Sequence, residues 1–77
     1  MSTIPSPLPG VFYRRPSPDK DEYVTEGDAV TEGQTIGLIE VMKNFTELKA
    51  TVSGTVKEFL VEDSAEVSVG QDVVVLE

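Results

Sequence analysis

The feature of the sequence that most constrains the fold is an internal repeat at an offset of 37 residues. The segment 24–40 matches the segment 61–77 across 17 residues without a gap. Valine-rich strands can match by chance, but a Gly-Gln pair and a closing Glu in register favour an internal duplication. Five pairs are identical and two are conservative: Val24/Val61, Val30/Val67, Gly33/Gly70, Gln34/Gln71 and Glu40/Glu77, then Ile36/Val73 and Ile39/Leu76.

Each half of the repeat contains short β-prone runs separated by Gly, Asp and Ser at close spacing. This pattern is typical of an all-β sandwich or barrel, and no stretch sustains a helical period of 3.6 residues. We expect the two halves to pack face to face about an approximate twofold axis. The predicted core consists of Val24, Val30, Ile36, Leu38, Leu48, Val56, Val61, Val67, Val73 and Val75, with Phe12 or Phe59 helping to fill it.

The first half of the chain contains a polar insertion. Gly10 precedes Val24 by 14 residues, whereas Gly54 precedes Val61 by only 7. If both glycines begin their half, the seven extra residues fall on the proline-rich segment 15–22. Such a loop is either a tolerated surface insertion or a place where function has been added.

Composition excludes several classes of function. The chain has no Cys and no His, which removes disulfides and the commonest general base and metal ligand. We therefore expect no catalytic residue and no metal site. A net charge of −8 disfavours binding to nucleic acid or to an anionic membrane. No signal peptide or membrane span is recognisable, so a cytoplasmic location is expected.

The segment 2–9 contains three prolines. It therefore predicts an extended arm that is either an edge strand or coil.

Two β-prone runs flank residues 41–44, which leaves only four residues to turn the chain. A two-residue hairpin loop would put Met42 and Lys43 at its tip. Asn44 suits the neighbouring position because Asn tolerates a positive φ. The residues that usually form such a loop are absent, and departures from local preference often mark a functional site. Lys43 is therefore either a reactive nucleophile or an ordinary surface lysine.

The sequence Glu40-Val41-Met42-Lys43 resembles the Glu-Ala-Met-Lys motif of biotin carboxyl carrier domains. Further runs resemble the "SP…GTFYR-PSPD" region of the carrier subunit of acetyl-CoA carboxylase, and others follow at the family's spacing, so that the similarity covers about residues 4–77. They are Ser6-Pro7, Gly10 to Arg14, Pro16 to Asp19, Gly27-Asp28, Val30, Gly33, Ile39-Glu40, Ser53 to Val56 and Val61-Glu62.

This resemblance to the biotinyl/lipoyl-attachment domain family implies a specific architecture. The fold would be a flattened β-barrel or sandwich of two four-stranded sheets with pseudo-twofold symmetry. Residues 1–77 would form a single biotinyl domain. The seven extra residues would form the protruding thumb of the acetyl-CoA carboxylase type, at about residues 16–23.

The resemblance also implies a function. A biotin protein ligase would attach biotin covalently to Lys43, and Glu40, Val41 and Met42 would form the recognition motif. A biotin carboxylase subunit would load a carboxyl group, and a carboxyltransferase subunit would transfer it to an acyl-CoA, with acetyl-CoA giving malonyl-CoA for fatty acid synthesis. The chain itself would be a non-catalytic carrier.

Two residues depart from the family motif, since Val41 replaces the usual Ala and Asn44 the usual Met. Lipoyl domains share the fold and the hairpin lysine but usually carry Asp before it, so Met42 and the thumb favour biotin over lipoate. A further alternative is an unmodified β-barrel that serves as an interaction module.

Overall fold

The protein folds into eight β-strands and no helix, as a computed structural model that describes all 77 residues shows. The structure therefore contains no helix that could cross a membrane. The strands form two antiparallel four-stranded sheets, which confirms the predicted fold class. Their bounds are β1 (Ser2–Pro5), β2 (Gly10–Tyr13), β3 (Ala29–Val30), β4 (Thr35–Val41), β5 (Asn44–Lys49), β6 (Gly54–Phe59), β7 (Ala65–Val67) and β8 (Asp72–Leu76).

The two sheets are related by an approximate twofold exchange of strands. One sheet has the order β1-β8-β6-β3, and the other has the order β5-β4-β2-β7. The exchange also reproduces hydrogen bonds between loops. Gly33 donates its N–H to the carbonyl of Ala50 at 2.8 Å, and Gly70 donates to the carbonyl of Ser6 at 2.8 Å. The two donors are 37 residues apart in the sequence and the two acceptors are 44 residues apart. The halves therefore have the same arrangement of strands and loops, but one of them is seven residues longer.

The seven residues of difference lie between β2 and β3. The chain leaves β2 after Tyr13 and comes back at Tyr23, whose N–H donates to the carbonyl of Arg14 at 2.9 Å. A turn inside this excursion is closed by a bond of 3.1 Å from the N–H of Lys20 to the carbonyl of Ser17. We refer to residues 16–23 as the thumb segment, which has no counterpart between β6 and β7.

The core lies between the sheets and contains 13 buried apolar residues. Seven of the ten aliphatic residues predicted for the core belong to it, as does Phe12. The prediction of Val75 was wrong, because Val75 is only half-buried and lies outside the cluster, whereas its neighbours Val74 and Leu76 are buried within it. Ile4 was missed, although β1 is the edge strand that the prolines allowed and Ile4 is fully buried. Ile39 and Ala50 also belong to the core and were not predicted. Val61 was predicted for the core but is only partly buried and packs against the cluster from outside.

Leu38 is buried outside this core. Only 8% of it is exposed, yet it does not belong to the cluster between the sheets. Its neighbour Ile39 does, and adjacent residues of a strand point to opposite faces. Leu38 therefore lies on the outer face of β4, where Pro16 and Pro18 of the thumb segment line the same groove. The thumb segment thus covers an apolar side chain on the outside of the sheet.

Candidate functional site

The turn between β4 and β5 consists of Met42 and Lys43 alone. Val41 pairs with Asn44, so these two residues close the hairpin as the sequence predicts. Met42 has a φ of 51° and Lys43 a φ of 67°. Positive φ at both central residues is the pattern of a type I′ turn, whose twist matches that of the flanking strands. The sequence-based assignment of positive φ to Asn44 is wrong, because the register places Asn44 in β5.

The turn is held against local preference. A residue other than Gly in the left-handed region costs about 1–2 kcal/mol. Two such residues follow each other here, without the Asn-Gly pair that commonly forms this turn. The strands behind the turn supply the compensation, since β4 and β5 are aligned in six residue pairs from Thr35 to Asn44. Lys43 is therefore presented on a hairpin whose shape is set by the sheet.

Lys43 and Met42 are both exposed to solvent, and the exposed fraction of Met42 is 89%. The chain contains three ion pairs, formed by Arg14, Arg15 and Lys49, and Lys43 belongs to none of them. The amine of Lys43 is thus accessible to the active site of another protein. This geometry suits the covalent attachment of a cofactor to the Lys43 amine.

Glu40 lies three residues before Lys43, near the end of β4. Tyr13, on the neighbouring strand β2, donates its hydroxyl to Oε1 of Glu40 at 3.0 Å. This hydrogen bond raises the pKa of Tyr13 above its ordinary value, and burial and the negative charges of Glu40 and Asp63 raise it further. The ring of Tyr13 also packs against Phe45, with 6.3 Å between ring centroids and 49° between planes.

A groove of about 600 Å³ opens on the outer face beside these residues. Strands β2, β4 and β5 contribute Tyr13, Leu38 and Phe45, and the thumb segment contributes Pro16 and Pro18. The exposed fraction of Phe45 is 60%, so the groove has an open apolar wall next to the hairpin. The thumb segment and the lysine hairpin therefore border one surface.

The base of the thumb segment is fastened by Arg14. Its guanidinium carbon lies 3.9 Å from the ring centroid of Phe59, and its Nη1 lies 3.3 Å from Glu22. Glu22 also pairs with Arg15 at 3.4 Å. The backbone N–H of Arg14 donates to Oδ1 of Asp63 at 2.7 Å. These contacts tie the thumb segment to both sheets, although Nε of Arg14 is buried without a hydrogen-bond partner.

The structure brings the four motif residues predicted from the sequence onto one hairpin, in different settings. Met42 and Lys43 form the tip, and Val41 closes the hairpin while packing against the core. Glu40 lies behind them, in contact with Tyr13. Sequence reasoning assigned no role to Tyr13. The signal that could have found it is its place in β2 next to the buried Phe12, because adjacent residues of a strand point to opposite faces and Tyr13 therefore faces outward.

Comparison with known proteins agrees with this geometry. The sequence model of the family described as "Biotin-requiring enzyme" matches residues 2–76. The chain is 40% identical over 77 residues to the biotin carboxyl carrier protein of acetyl-CoA carboxylase, chloroplastic, from Glycine max, covering 100% of this chain and 29% of that protein. It is 41% identical over 71 residues to the biotin carboxyl carrier protein of acetyl-CoA carboxylase from Nostoc sp., covering 92% of this chain and 39% of that protein.

Similarity to a solved structure points the same way. The crystal structure of the Kluyveromyces lactis urea carboxylase matches with a TM-score of 0.78 and 28% identity, covering 99% of this chain and 6% of that one. The chain thus spans only a minor part of the length of the proteins it matches. The sequence-based identification of the family and of biotin as its cofactor is confirmed. Since the family model covers nearly all of its residues, the chain belongs to the biotin-requiring enzyme family.

Proposed function

We propose that this chain is a biotin carboxyl carrier in which a biotin protein ligase joins biotin to Lys43. The observation that carries the proposal is an exposed lysine at the tip of a two-residue turn, in a chain of the biotin-requiring family. The ligase would use ATP to activate the carboxyl group of biotin, and Nζ of Lys43, after losing its protons to solvent, would displace the nucleotide leaving group to form an amide. This step removes the charge of the amine and takes the net charge from −8 to −9.

Lys43 would hold the biotin, and the chemistry that the biotin would supply is the transfer of a carboxyl group from one active site to another. The chain supplies the attachment point and the rigid hairpin that projects it, and it needs no acid or base of its own. Attachment to a carrier raises the effective concentration of the cofactor at each enzyme. The chain is therefore a non-catalytic component.

The names of the relatives support a more specific assignment. Carriers of acetyl-CoA carboxylase are about 40% identical to this chain. The partners proposed on this basis are a biotin carboxylase subunit and a carboxyltransferase subunit, with acetyl-CoA as acceptor and malonyl-CoA as product. Residues 1–77 act as a single biotinyl domain with a thumb at residues 16–23. The proposed location is the cytoplasm, without binding to nucleic acid or membrane.

Intact-mass measurement after incubation with a purified biotin protein ligase, biotin and ATP tests the attachment. We expect the addition of one biotinyl group, which Lys43→Arg abolishes. Lys49→Arg is the matched control, because Lys49 is also exposed but lies in β5, and it should be modified as the wild type is. A lipoyl adduct formed only by a lipoate ligase supports the lipoyl alternative, and no adduct with either enzyme supports the interaction module.

The identity of the acceptor requires a separate assay. Biotinylated protein is combined with a biotin carboxylase, a carboxyltransferase, ATP and bicarbonate, and a panel of acyl-CoA substrates is supplied. Malonyl-CoA formation from acetyl-CoA, lost in Lys43→Arg, is the expected result. Preferential carboxylation of a different acyl-CoA contradicts the proposed acceptor and leaves the carrier role intact.

A further inference from the structure

Three side chains converge on the outer face of the sheet next to the lysine hairpin. Glu40 on β4 is the direct cross-strand partner of Phe45 on β5. Tyr13 on β2 pairs directly with Leu38 on β4. Because Leu38 lies two residues before Glu40, Tyr13 is the diagonal neighbour of Glu40. Diagonal pairs lie within reach of aromatic and long side chains. The three strands thus bring Tyr13, Glu40 and Phe45 onto one surface next to the hairpin, and Glu40 lies three residues before the turn lysine.

The contacts within this group restrict the carboxylate of Glu40. The Tyr13 hydroxyl donates to Oε1 at 3.0 Å, and the Tyr13 ring is packed against Phe45. Oε2 has no hydrogen-bond partner in the chain and is not among the buried unpartnered atoms. One oxygen is therefore engaged within the chain while the other is open to a donor from outside. An unrestrained Glu side chain would sample several rotamers, and fixing it in a complex would cost entropy.

We propose that Tyr13 is a positioning residue that holds the carboxylate of Glu40 in the orientation recognised by the biotin protein ligase. This inference rests on the proposed function. The partner group that meets Oε2 is a hydrogen-bond donor, most effectively a cationic one, because charge-assisted bonds are the stronger ones. Tyr13 acts before binding, by reducing the freedom that the complex would otherwise have to remove. It touches neither biotin nor the reacting amine.

The proposal predicts an effect on recognition and little effect on chemistry. Tyr13→Phe removes the hydroxyl and keeps the ring that packs against Phe45. The KM of the ligase for this chain should rise roughly fivefold, the size expected when one additional flexible side chain has to be ordered in the complex. The kcat should stay within about twofold, because Lys43 and its turn are unchanged. Tyr23→Phe is the matched control, since the Tyr23 hydroxyl makes no hydrogen bond in the structure.

The variant Glu40→Asp tests whether Tyr13 acts through Glu40. It keeps the charge but shortens the side chain by one methylene, which moves the carboxylate out of reach of the Tyr13 hydroxyl. If Tyr13 works by positioning Glu40, Tyr13→Phe should raise KM in the wild-type background and leave it unchanged in the Glu40→Asp background. Thermal unfolding of each variant, measured in parallel, shows whether a change in KM follows a loss of folded protein.

Two results overturn the inference while leaving the carrier function standing. In the first, the wild type is biotinylated and Tyr13→Phe has the same KM within about twofold. In the second, the effects of the two substitutions multiply, so that Tyr13 acts independently of Glu40. A wild-type chain that the ligase does not modify at Lys43 refutes the proposed function, and this inference then falls with it.

Discussion

In the first half of the molecule, Oε1 of Gln34 accepts a hydrogen bond of 3.0 Å from the N–H of Thr31. In the second half, Oε1 of Gln71 accepts one of 2.9 Å from the N–H of Ser68. The two turns are alike down to the side-chain atom, although the residues that donate differ. The same exchange fails in the thumb segment and in the contacts around Glu40. The halves therefore share this turn of the scaffold and differ in the contacts beside the hairpin that presents the lysine.

The interior shows a second kind of difference between the halves. One half has a large and a small residue at a pair of neighbouring core positions, and the other half has two residues of middle size at the equivalent pair. The first half has Phe12 and Gly37 where the second has Val56 and Val74. A Cβ on Gly37 would lie 2.5 Å from Cε1 of Phe12 and 2.9 Å from the carbonyl oxygen of Tyr13. A large residue beside a glycine thus replaces two valines, and each pair fills its side of the core.

The largest expected effect comes from breaking this compensation. Gly37→Ala should lower the free energy of unfolding by about 2–3 kcal/mol, because the added methyl group overpacks the core. In a Phe12→Val background the nearest of these contacts is gone, and the same substitution should cost at least about 1 kcal/mol less. Urea denaturation of the four proteins gives the coupling energy. If the changes in unfolding free energy of the two single variants simply added up in the double variant, Gly37 would not compensate for the size of Phe12.

The next largest effect concerns the thumb segment, which the second half lacks. Arg14→Ala should lower the free energy of unfolding by about 2 kcal/mol, because it removes a cation–π contact with Phe59 and an ion pair from a mostly buried side chain. Arg15→Ala is the matched control. It breaks an ion pair with the same Glu22 from a more exposed side chain, so it should cost about 0.5 kcal/mol or less.

Limited proteolysis of the thumb segment provides the second measurement for this pair of variants. Cleavage after Lys20 should be accelerated by Arg14→Ala and little changed by Arg15→Ala. Equal rates in both variants would show that the thumb segment is held by Glu22 alone.

A smaller effect is expected where equivalent turns carry different residues. Gly27 has a φ of 94°, and its counterpart Ser64 has a φ of 71°. Their N–H groups make equivalent bonds, to Val56 at 2.8 Å and to Phe12 at 2.6 Å. Ser64→Gly should stabilise the fold by about 0.5–1 kcal/mol, and Gly27→Ser should destabilise it by about 1 kcal/mol, since only Gly adopts positive φ freely. Thermal unfolding of both variants checks the opposite signs, and a loss of stability in Ser64→Gly would contradict this account.

The repeat explains why so much of this fold could be predicted. A gapless offset of 37 residues makes β7 and β8 the equivalents of β3 and β4 and predicts two similar halves that pack together. The two four-stranded sheets were implied by the family resemblance, and the hairpin was predicted from the four residues between two β-prone runs. What the sequence did not reveal depends on side-chain contacts between strands distant in the chain. The burial of Leu38 on the outer face requires the thumb segment above it, and the pairing of Tyr13 with Glu40 requires the register of β2 on β4. No pattern local to either residue encodes those contacts.

The smallest expected effect tests the contact around Glu40 that distinguishes the halves. The positions equivalent to Tyr13 and Glu40 are Lys57 and Glu77, which form no ion pair with each other despite their opposite charges. Lys57 lies instead beside the sulfur of Met1. The bond of 3.0 Å between Tyr13 and Glu40 is thus a property of the first half and not of the shared scaffold.

Alkaline titration measures this bond directly. The hydrogen bond to Glu40, followed by burial and by the charges of Glu40 and Asp63, raises the pKa of Tyr13 above the ordinary 10.0. The protonated hydroxyl is therefore favoured in the folded state, and the resulting stability is complete below pH 10 and is lost as the pH rises through the raised pKa. Tyrosinate absorbance should show Tyr13 ionising later than in a Glu40→Gln variant, in which the charge on the acceptor is removed. As the pH rises from 10 through the raised pKa of Tyr13, the free energy of unfolding of the wild type should fall more steeply than that of Tyr13→Phe. Parallel curves of unfolding free energy against pH would mean that the bond is not maintained in solution.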